Sequence, residues 1–367
     1  KCRRTNMNCV PISLGDRSYE MQIGSGILKE MLGDITDRAM FVVDDKVMPL
    51  LGDKITVGSG QGLLTMFASE MNKTMPSVEK IWDAMLDAGL DRSSSLVAIG
   101  GGIVGDVGGF AAATYMRGVP LIQVPTTLLA MVDASIGGKT GVNTKRSRND
   151  GTAILGKNLA GAFWQPKKVI ADVQMLQSLD TRQLRCGLAE CVKHAMLGNA
   201  ELLTFIETNA SAILACDLEV LERLVFQSAS IKAKVVSRDE REGGERALLN
   251  LGHTFAHAME PMPELGLLHG EAVSIGLVAV ASCSEALGMV SDGFVDRIRA
   301  LLAKLGLPIR MQAELPALDF ISMMQFDKKN QDGQMRLVLP EGECGATISS
   351  NVDLATITLA LRSVGAS

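Results

Sequence analysis

The chain has 367 residues, with 36 basic against 41 acidic side chains for a net charge of −5, and 47% of its residues are hydrophobic. That composition describes a folded protein with a large core and excludes disorder as its main state. No lysine-arginine block exceeds a few residues, so the basic footprint needed to bind a phosphate backbone is missing and nucleic acid is not an expected partner.

Lys1, Arg3 and Arg4 open the sequence, but Asn6, Asn8 and Pro11 interrupt the next stretch before an apolar export signal can form. Seven scattered cysteines (Cys2, Cys9, Cys186, Cys191, Cys216, Cys283, Cys344) contain no CxxC and suit reduced thiols, so a cytoplasmic location is expected. Residues 39–43 form an apolar run ending at Asp44 and Asp45, the pattern of a buried parallel strand. Residues 77–88 have helical spacing, with Val78, Ile81, Trp82 and Met85 on one side. Residues 95–99 read as a second strand, completing a βαβ unit, and residues 121–124 as a third that leads into Pro125, Thr126 and Thr127.

Beyond Asp172 the periodicity is helical, from Arg182 to about Leu305. The expected organisation is therefore an α/β parallel-sheet domain over 1–173 and a mainly helical domain over 174–367. The apolar run 272–283 falls well short of the ~20 residues that span a bilayer and reads as a buried helix, so no membrane partner is expected. A last strand is expected at 336–339, after the turn residues 330–333.

Three sets of residues carry chemistry. Gly100, Gly101, Gly102 and Gly105 with Asp106, then Gly108 and Gly109, place glycines where a strand gives way to a helix. That setting cradles a diphosphate, although a tight turn with close helix packing explains the same glycines. Histidine is scarce, and three of the four (His253, His257, His269) are clustered, which points to a metal or proton-transfer site. Spacing nominates His253 with His257, or Glu190 with His194, as i, i+4 pairs and does not choose between them. Arg117, Lys139, Lys157 and Arg246 lie in glycine-rich or polar contexts and suit a polyanionic substrate such as a sugar phosphate bearing a carboxylate. The Gly137-Gly138-Lys139-Thr140 segment looks like the end of a P-loop, but the upstream glycine would fall at Val132 or Asp133, which excludes ATP on this pattern.

Together the stretches GGGIVGDVGGFAAATYMRG, QVPTTLLAMVDASIGGKTGVN, GKNLAGAFWQP, GLAECVKHA, DEREGGERALLNLGHTFAHAME, HGEAV and FDKK resemble the 3-dehydroquinate synthase family of sugar phosphate cyclases, from about Val42 to the last strand. The resemblance implies a Rossmann-like N-terminal domain, an all-helical C-terminal domain, NAD, one divalent metal (zinc, with cobalt as the alternative) and a homodimer. It implies Glu190, His253 and His269 as metal ligands, with His257 as the acid-base histidine in place of a ligand. Cofactor contacts carry over to Asp44, Glu70, Lys73, Gly101, Gly102, Asp106, Thr126, Thr127, Asp133, Lys157 and Ser178. Substrate contacts carry over to Arg117, Lys139, Asn158, Lys193, Lys232, Arg246 and Asn250, with Lys139 and Glu242 also catalytic, and either Lys328 or Lys329 completes the set. The implied lyase activity closes 3-deoxy-D-arabino-heptulosonate 7-phosphate to 3-dehydroquinate in the shikimate pathway of aromatic amino acid biosynthesis, through transient NAD oxidation, phosphate elimination and intramolecular aldol closure.

Residues 144–154 (TKRSRNDGTAI) are longer than the family pattern, and their glycine and charge mark a surface loop beside two substrate lysines. Cys186 and Cys191 stand where the family usually has other residues and read as helix packing. The rival readings are a related cyclase that makes a valiolone or an inosose, a metal-dependent polyol dehydrogenase, and a catalytically inert NAD-binding module. His257 with Arg246 and Asn250 favours the dehydroquinate form.

Overall fold

The computed structural model describes residues 7–35, 37–147, 153–325 and 335–367. The chain divides into two compact units, residues 1–179 and 180–367, where the sequence places the end of the first domain at Val173.

In the first unit the strands are β1 (Asn8–Ile12), β2 (Tyr19–Gly24), β3 (Ala39–Asp44), β4 (Gln61–Met66), β5 (Ser95–Gly100), β6 (Leu121–Pro125), β7 (Lys139–Ser147), β8 (Ala153–Phe163) and β9 (Lys168–Asp172). Its helices are α1 (Leu28–Gly33), α2 (Met48–Leu51), α3 (Met75–Asp87) and α4 (Gly102–Thr114). Seven strands form one sheet in the order β1-β2-β9-β6-β5-β3-β4, parallel except for the β1–β2 pair. Residues 39–43 are all buried, as expected of a strand covered on both faces. β4 lies at the edge and is partly exposed. Val78, Ile81 and Met85 of α3 join Val104, Val107 and Ala111 of α4 over Met40, Val42, Leu96 and Ala98 of the sheet, which forms the core of this unit.

β7 and β8 form a separate antiparallel hairpin. The expectation of a loop over 144–154 therefore gives way to strand at residues 144–147 and 153–154, while 148–152 lie outside the described residues. Cross-strand backbone pairing forms this hairpin in spite of its polar, basic composition. Cys9 is disulfide-bonded, so the expectation of reduced thiols fails there. Cys186, Cys191, Cys216, Cys283 and Cys344 are free.

The second unit contains α5 (Thr181–Met196), α6 (Ala200–Leu214), α7 (Leu218–Arg238), α8 (His253–Met259), α9 (His269–Ala286), α10 (Phe294–Lys304), α11 (Ala317–Gln325) and α12 (Leu354–Ser363), with a small β10 (Leu337–Pro340) and β11 (Ala346–Ser349) pair. Residues 272–281 of α9 are all buried, because a helix that is apolar on every side must be covered on every side. α5, α8, α10 and α12 pack around it. The side chains of Asp180, Asn199, Asp217 and Asp353 cap α5, α6, α7 and α12 by accepting backbone N–H groups of their first turns. Among the described residues, no helix is long and apolar enough to cross a membrane.

Candidate active site and metal centre

Two close backbone approaches set the geometry of the helical unit. A Cβ on Gly270 would lie 2.3 Å from the carbonyl oxygen of Cys186, so only glycine lets the start of α9 rest on α5 at that point. Gly276 of α9 makes a similar approach, its Cβ position lying 2.2 Å from the carbonyl oxygen of Gly252, which precedes α8 at φ 77°. His269 adjoins Gly270, His253 adjoins Gly252, and Glu190 lies one turn beyond Cys186. The three side chains converge, with donor atoms all within 4.8 Å of one another.

Glu190 is fully buried, and its Oε2 forms an ion pair with Lys193. Nε2 of His253 and Nε2 of His269 each lie 3.6 Å from Oε1 of Glu190, too far for a hydrogen bond. Two ligands about 2.1 Å from a single tetrahedral ion are about 3.4 Å apart, so this spacing fits one divalent cation. The ring tautomers fit as well. Nδ1 of His253 faces the carbonyl of Leu251 at 3.1 Å and Nδ1 of His269 faces Oε2 of Glu260 at 3.3 Å, which places the proton on Nδ1 and leaves Nε2 as the donor. Burial acts to raise the Glu190 carboxyl, but the ion pair with Lys193 and the two histidines hold it well below the usual carboxylate range. Burial acts to lower His269, but Glu190 and Glu260 outweigh it and raise the imidazole to about 10. The site is built for positive charge.

The two pairings nominated by spacing stand differently. His257 lies on α8 one turn beyond His253, its ring edge-on with centroids 5.5 Å apart, while His194 is buried with Nδ1 2.7 Å from the Ser228 hydroxyl. Lys193, Lys232 and Arg246 are buried as well. Asp239 organises the loop before α8, accepting the backbone N–H groups of Gly243, Gly244 and Arg246 at 2.7 to 3.0 Å. That loop presents Glu242 at φ 62°, and Glu242 accepts from Nδ2 of Asn250 at 2.9 Å. Lys328 and Lys329 lie outside the described residues.

In the sheet unit, Asp44, Gly101, Gly102, Thr126 and Thr127 gather at the carboxyl ends of the parallel strands β3, β5 and β6, the edge at which open α/β sheets bind ligands. Gly105 and Gly109 allow α4 to lie close, since a Cβ on either would meet Gln123 at 2.8 Å or Thr140 at 2.4 Å. Lys73 is buried and pairs with Asp106 at 2.5 Å, while burial raises the Asp106 carboxyl in spite of that partner. Burial likewise raises Asp44. Asp133 lies in a short π-helical turn (Ala130–Ala134), and Ser178 donates to the carbonyl of Met175. Lys139 begins β7, and Lys157 and Asn158 lie on β8, all exposed.

Backbone conformation singles out part of this set. Among the described residues, five non-glycine positions have positive φ: Met116, Arg117, Asn158, Cys216 and Glu242. Three of these are residues singled out from the sequence, and such conformations concentrate where the surrounding structure holds a functional group in place. The residue types at these positions give no sign of that conformation. Sequence reasoning also missed Asp239, Glu260 and Asn143. For Asp239 the following Gly243-Gly244 pair was an available signal.

Profiles of the 3-dehydroquinate synthase N-terminal and C-terminal regions match residues 63–186 and 187–330. A 3-dehydroquinate synthase from Halorhodospira halophila is 45% identical over 333 residues, 89% of this chain and 91% of that protein. One from Acidithiobacillus ferrooxidans is 41% identical over 97% of this chain and 98% of its own length. The structure of 2-epi-5-epi-valiolone synthase from Streptomyces hygroscopicus subsp. jinggangensis, with NAD+ and Zn2+ bound, superposes with a TM-score of 0.85 at 27% identity, covering 96% of this chain and 98% of that one.

Proposed function

Because the chain belongs to the 3-dehydroquinate synthase family, we propose that it converts 3-deoxy-D-arabino-heptulosonate 7-phosphate to 3-dehydroquinate and phosphate, with NAD and a divalent metal. The observation that carries this reading is the buried Glu190 carboxylate, which pairs with Lys193 through Oε2 and faces the Nε2 atoms of His253 and His269 through Oε1. A binding module has no need of that arrangement. When bound, NAD supplies a hydride acceptor and donor, and the metal supplies a Lewis acid that polarises substrate oxygens.

The chain's own residues do the rest. Glu190, His253 and His269 hold the metal, and Leu251 and Glu260 keep both imidazoles turned toward it. Gly101, Gly102, Thr126 and Thr127 cradle the cofactor diphosphate, while Asp44, Glu70, Lys73, Asp106, Asp133, Lys157 and Ser178 line the remainder of its site. Arg117, Lys139, Asn158, Lys193, Lys232, Arg246 and Asn250 are the residues that bind the substrate phosphate, carboxylate and hydroxyls in this reading. Buried cations suit that task because a dianion is attracted most strongly where water is excluded. His257 exchanges protons with the substrate, and Glu242 holds Asn250 toward it.

The relatives that are 40–45% identical are named for this reaction, whereas the valiolone synthase structure is 27% identical. The reading includes a homodimer working in the cytoplasm. Purified protein incubated with the heptulosonate phosphate, NAD and zinc is expected to release phosphate and form 3-dehydroquinate with no net gain in absorbance at 340 nm. Accumulating NADH would indicate a dehydrogenase, and a different carbocycle would indicate another cyclase.

A further inference from the structure

The β7–β8 hairpin is irregular at one place. Val142 pairs with Ala160 and Thr144 pairs with Gly156, so Asn143 alone on β7 faces Lys157, Asn158 and Leu159 on β8. Bulges of this kind re-aim side chains and are enriched beside active sites. Here the bulged residues include an exposed lysine and an exposed asparagine, the latter in the left-handed region at φ 52°.

Asn143 fills the space beneath the bulge and is 3% exposed. Its Oδ1 accepts the backbone N–H of Asn158 at 3.0 Å. Its Nδ2 donates to Oε2 of Glu70 at 2.8 Å and to the Glu70 carbonyl at 3.2 Å. Its own backbone N–H donates to the carbonyl of Lys73 at 2.7 Å, and Lys73 in turn pairs with Asp106. One buried side chain thus spends both amide hydrogens on Glu70 and its oxygen on Asn158. An amide is the group that does this, since it offers donors and an acceptor on a single plane.

From this geometry we propose that Asn143 is a positioning residue, which fixes the Glu70 carboxylate for the cofactor and the bulge at Asn158 for the substrate. It is distinct from the contact residues because it acts through both of them. The inference rests on the roles assigned above to Glu70 and Asn158.

The test separates the two halves of the amide. Asn143→Ala removes donor and acceptor together. Asn143→Asp keeps an acceptor for the Asn158 N–H but offers Glu70 no donor. NAD affinity is measured by titration of the metal-loaded protein without substrate, and KM for the heptulosonate phosphate is measured separately. Asn143→Ala is expected to weaken NAD and to raise KM, each on the order of tenfold, as loss of a hydrogen bond to a charged or buried partner entails. Asn143→Asp is expected to keep KM near wild type while NAD stays weak. In a Glu70→Ala background, Asn143→Ala should weaken NAD by less than it does with Glu70 present.

Wild-type NAD affinity and KM in Asn143→Ala would overturn the assignment, as would an equal loss of NAD affinity with and without Glu70. If Asn143→Ala does not fold, Asn143→Asp decides: weak NAD with preserved KM supports the assignment, and any other pattern overturns it. Product formation by wild-type protein tests the proposed activity by itself, and the NAD titrations give their answer whether or not that product is made.

Discussion

Replacing Gly270 with alanine tests how the ligand helices are held. In most helices this change stabilises by about 1 kcal/mol. Here the new Cβ would lie 2.3 to 2.6 Å from the carbonyl oxygen, Cα and carbonyl carbon of Cys186, all backbone atoms that no rotamer change relieves. Ordinary contact is about 3.5–4.0 Å, so α9 must retreat from α5 by about 1 Å. The clash therefore outweighs the helical gain, and a net loss of about 1–3 kcal/mol is expected. The same retreat stretches the 3.6 Å spacing of His269 and Glu190. Zinc affinity should fall about 10- to 100-fold, the range seen when groups around a ligand are disturbed. Competition with a chromophoric chelator measures the affinity, and chemical denaturation with and without EDTA separates it from stability. Wild-type affinity in a variant of wild-type stability would refute the reasoning.

His269→Ala should abolish zinc retention and turnover but leave NAD titration unchanged, since the residues proposed for the cofactor all lie within 1–179; zinc bound with native affinity would contradict the proposed ligand assignment. Lys73→Met removes one partner of a largely buried pair with Asp106 and should destabilise by about 3 kcal/mol in denaturant titrations; an unchanged midpoint would show that the pair contributes nothing. Glu271 accepts Arg182 at 2.6 and 2.7 Å and the Leu268 N–H at 2.8 Å, and although burial pushes its carboxyl up, these bonds hold it below the usual range. A lowered folded pKa gives stability that is complete above the unfolded value of about 4.3 and is lost as pH falls through the folded one. The melting-temperature gap between wild type and Glu271→Gln should therefore be present at pH 7 and shrink below about pH 4, and a constant gap would argue against the linkage.

The sheet was legible because buried parallel strands are written as continuous apolar runs, as at residues 39–43 and 95–99. β7 and β8 were not, because TGVNTKRS carries no period-2 apolar signal and strand pairing with a partner, not local propensity, creates them. The histidine cluster was visible through the scarcity of that residue. Spacing alone could not assemble Glu190, His253 and His269, because these three side chains come from different helices, brought together by Gly270 on Cys186 and Gly252 on Gly276. The family resemblance supplied that choice. Asn143, Asp239 and Glu260 escaped notice for a shared reason: each acts by orienting a neighbour, and a polar residue of this kind reads in sequence like any loop or surface position.

Anomalous diffraction at the zinc edge, from crystals of the zinc-loaded protein, tests the central claim most directly. The expected result is one strong peak about 2.0–2.2 Å from Nε2 of His253, Nε2 of His269 and a carboxylate oxygen of Glu190. A peak held by other side chains, or none at this triad in protein that turns over, would contradict it.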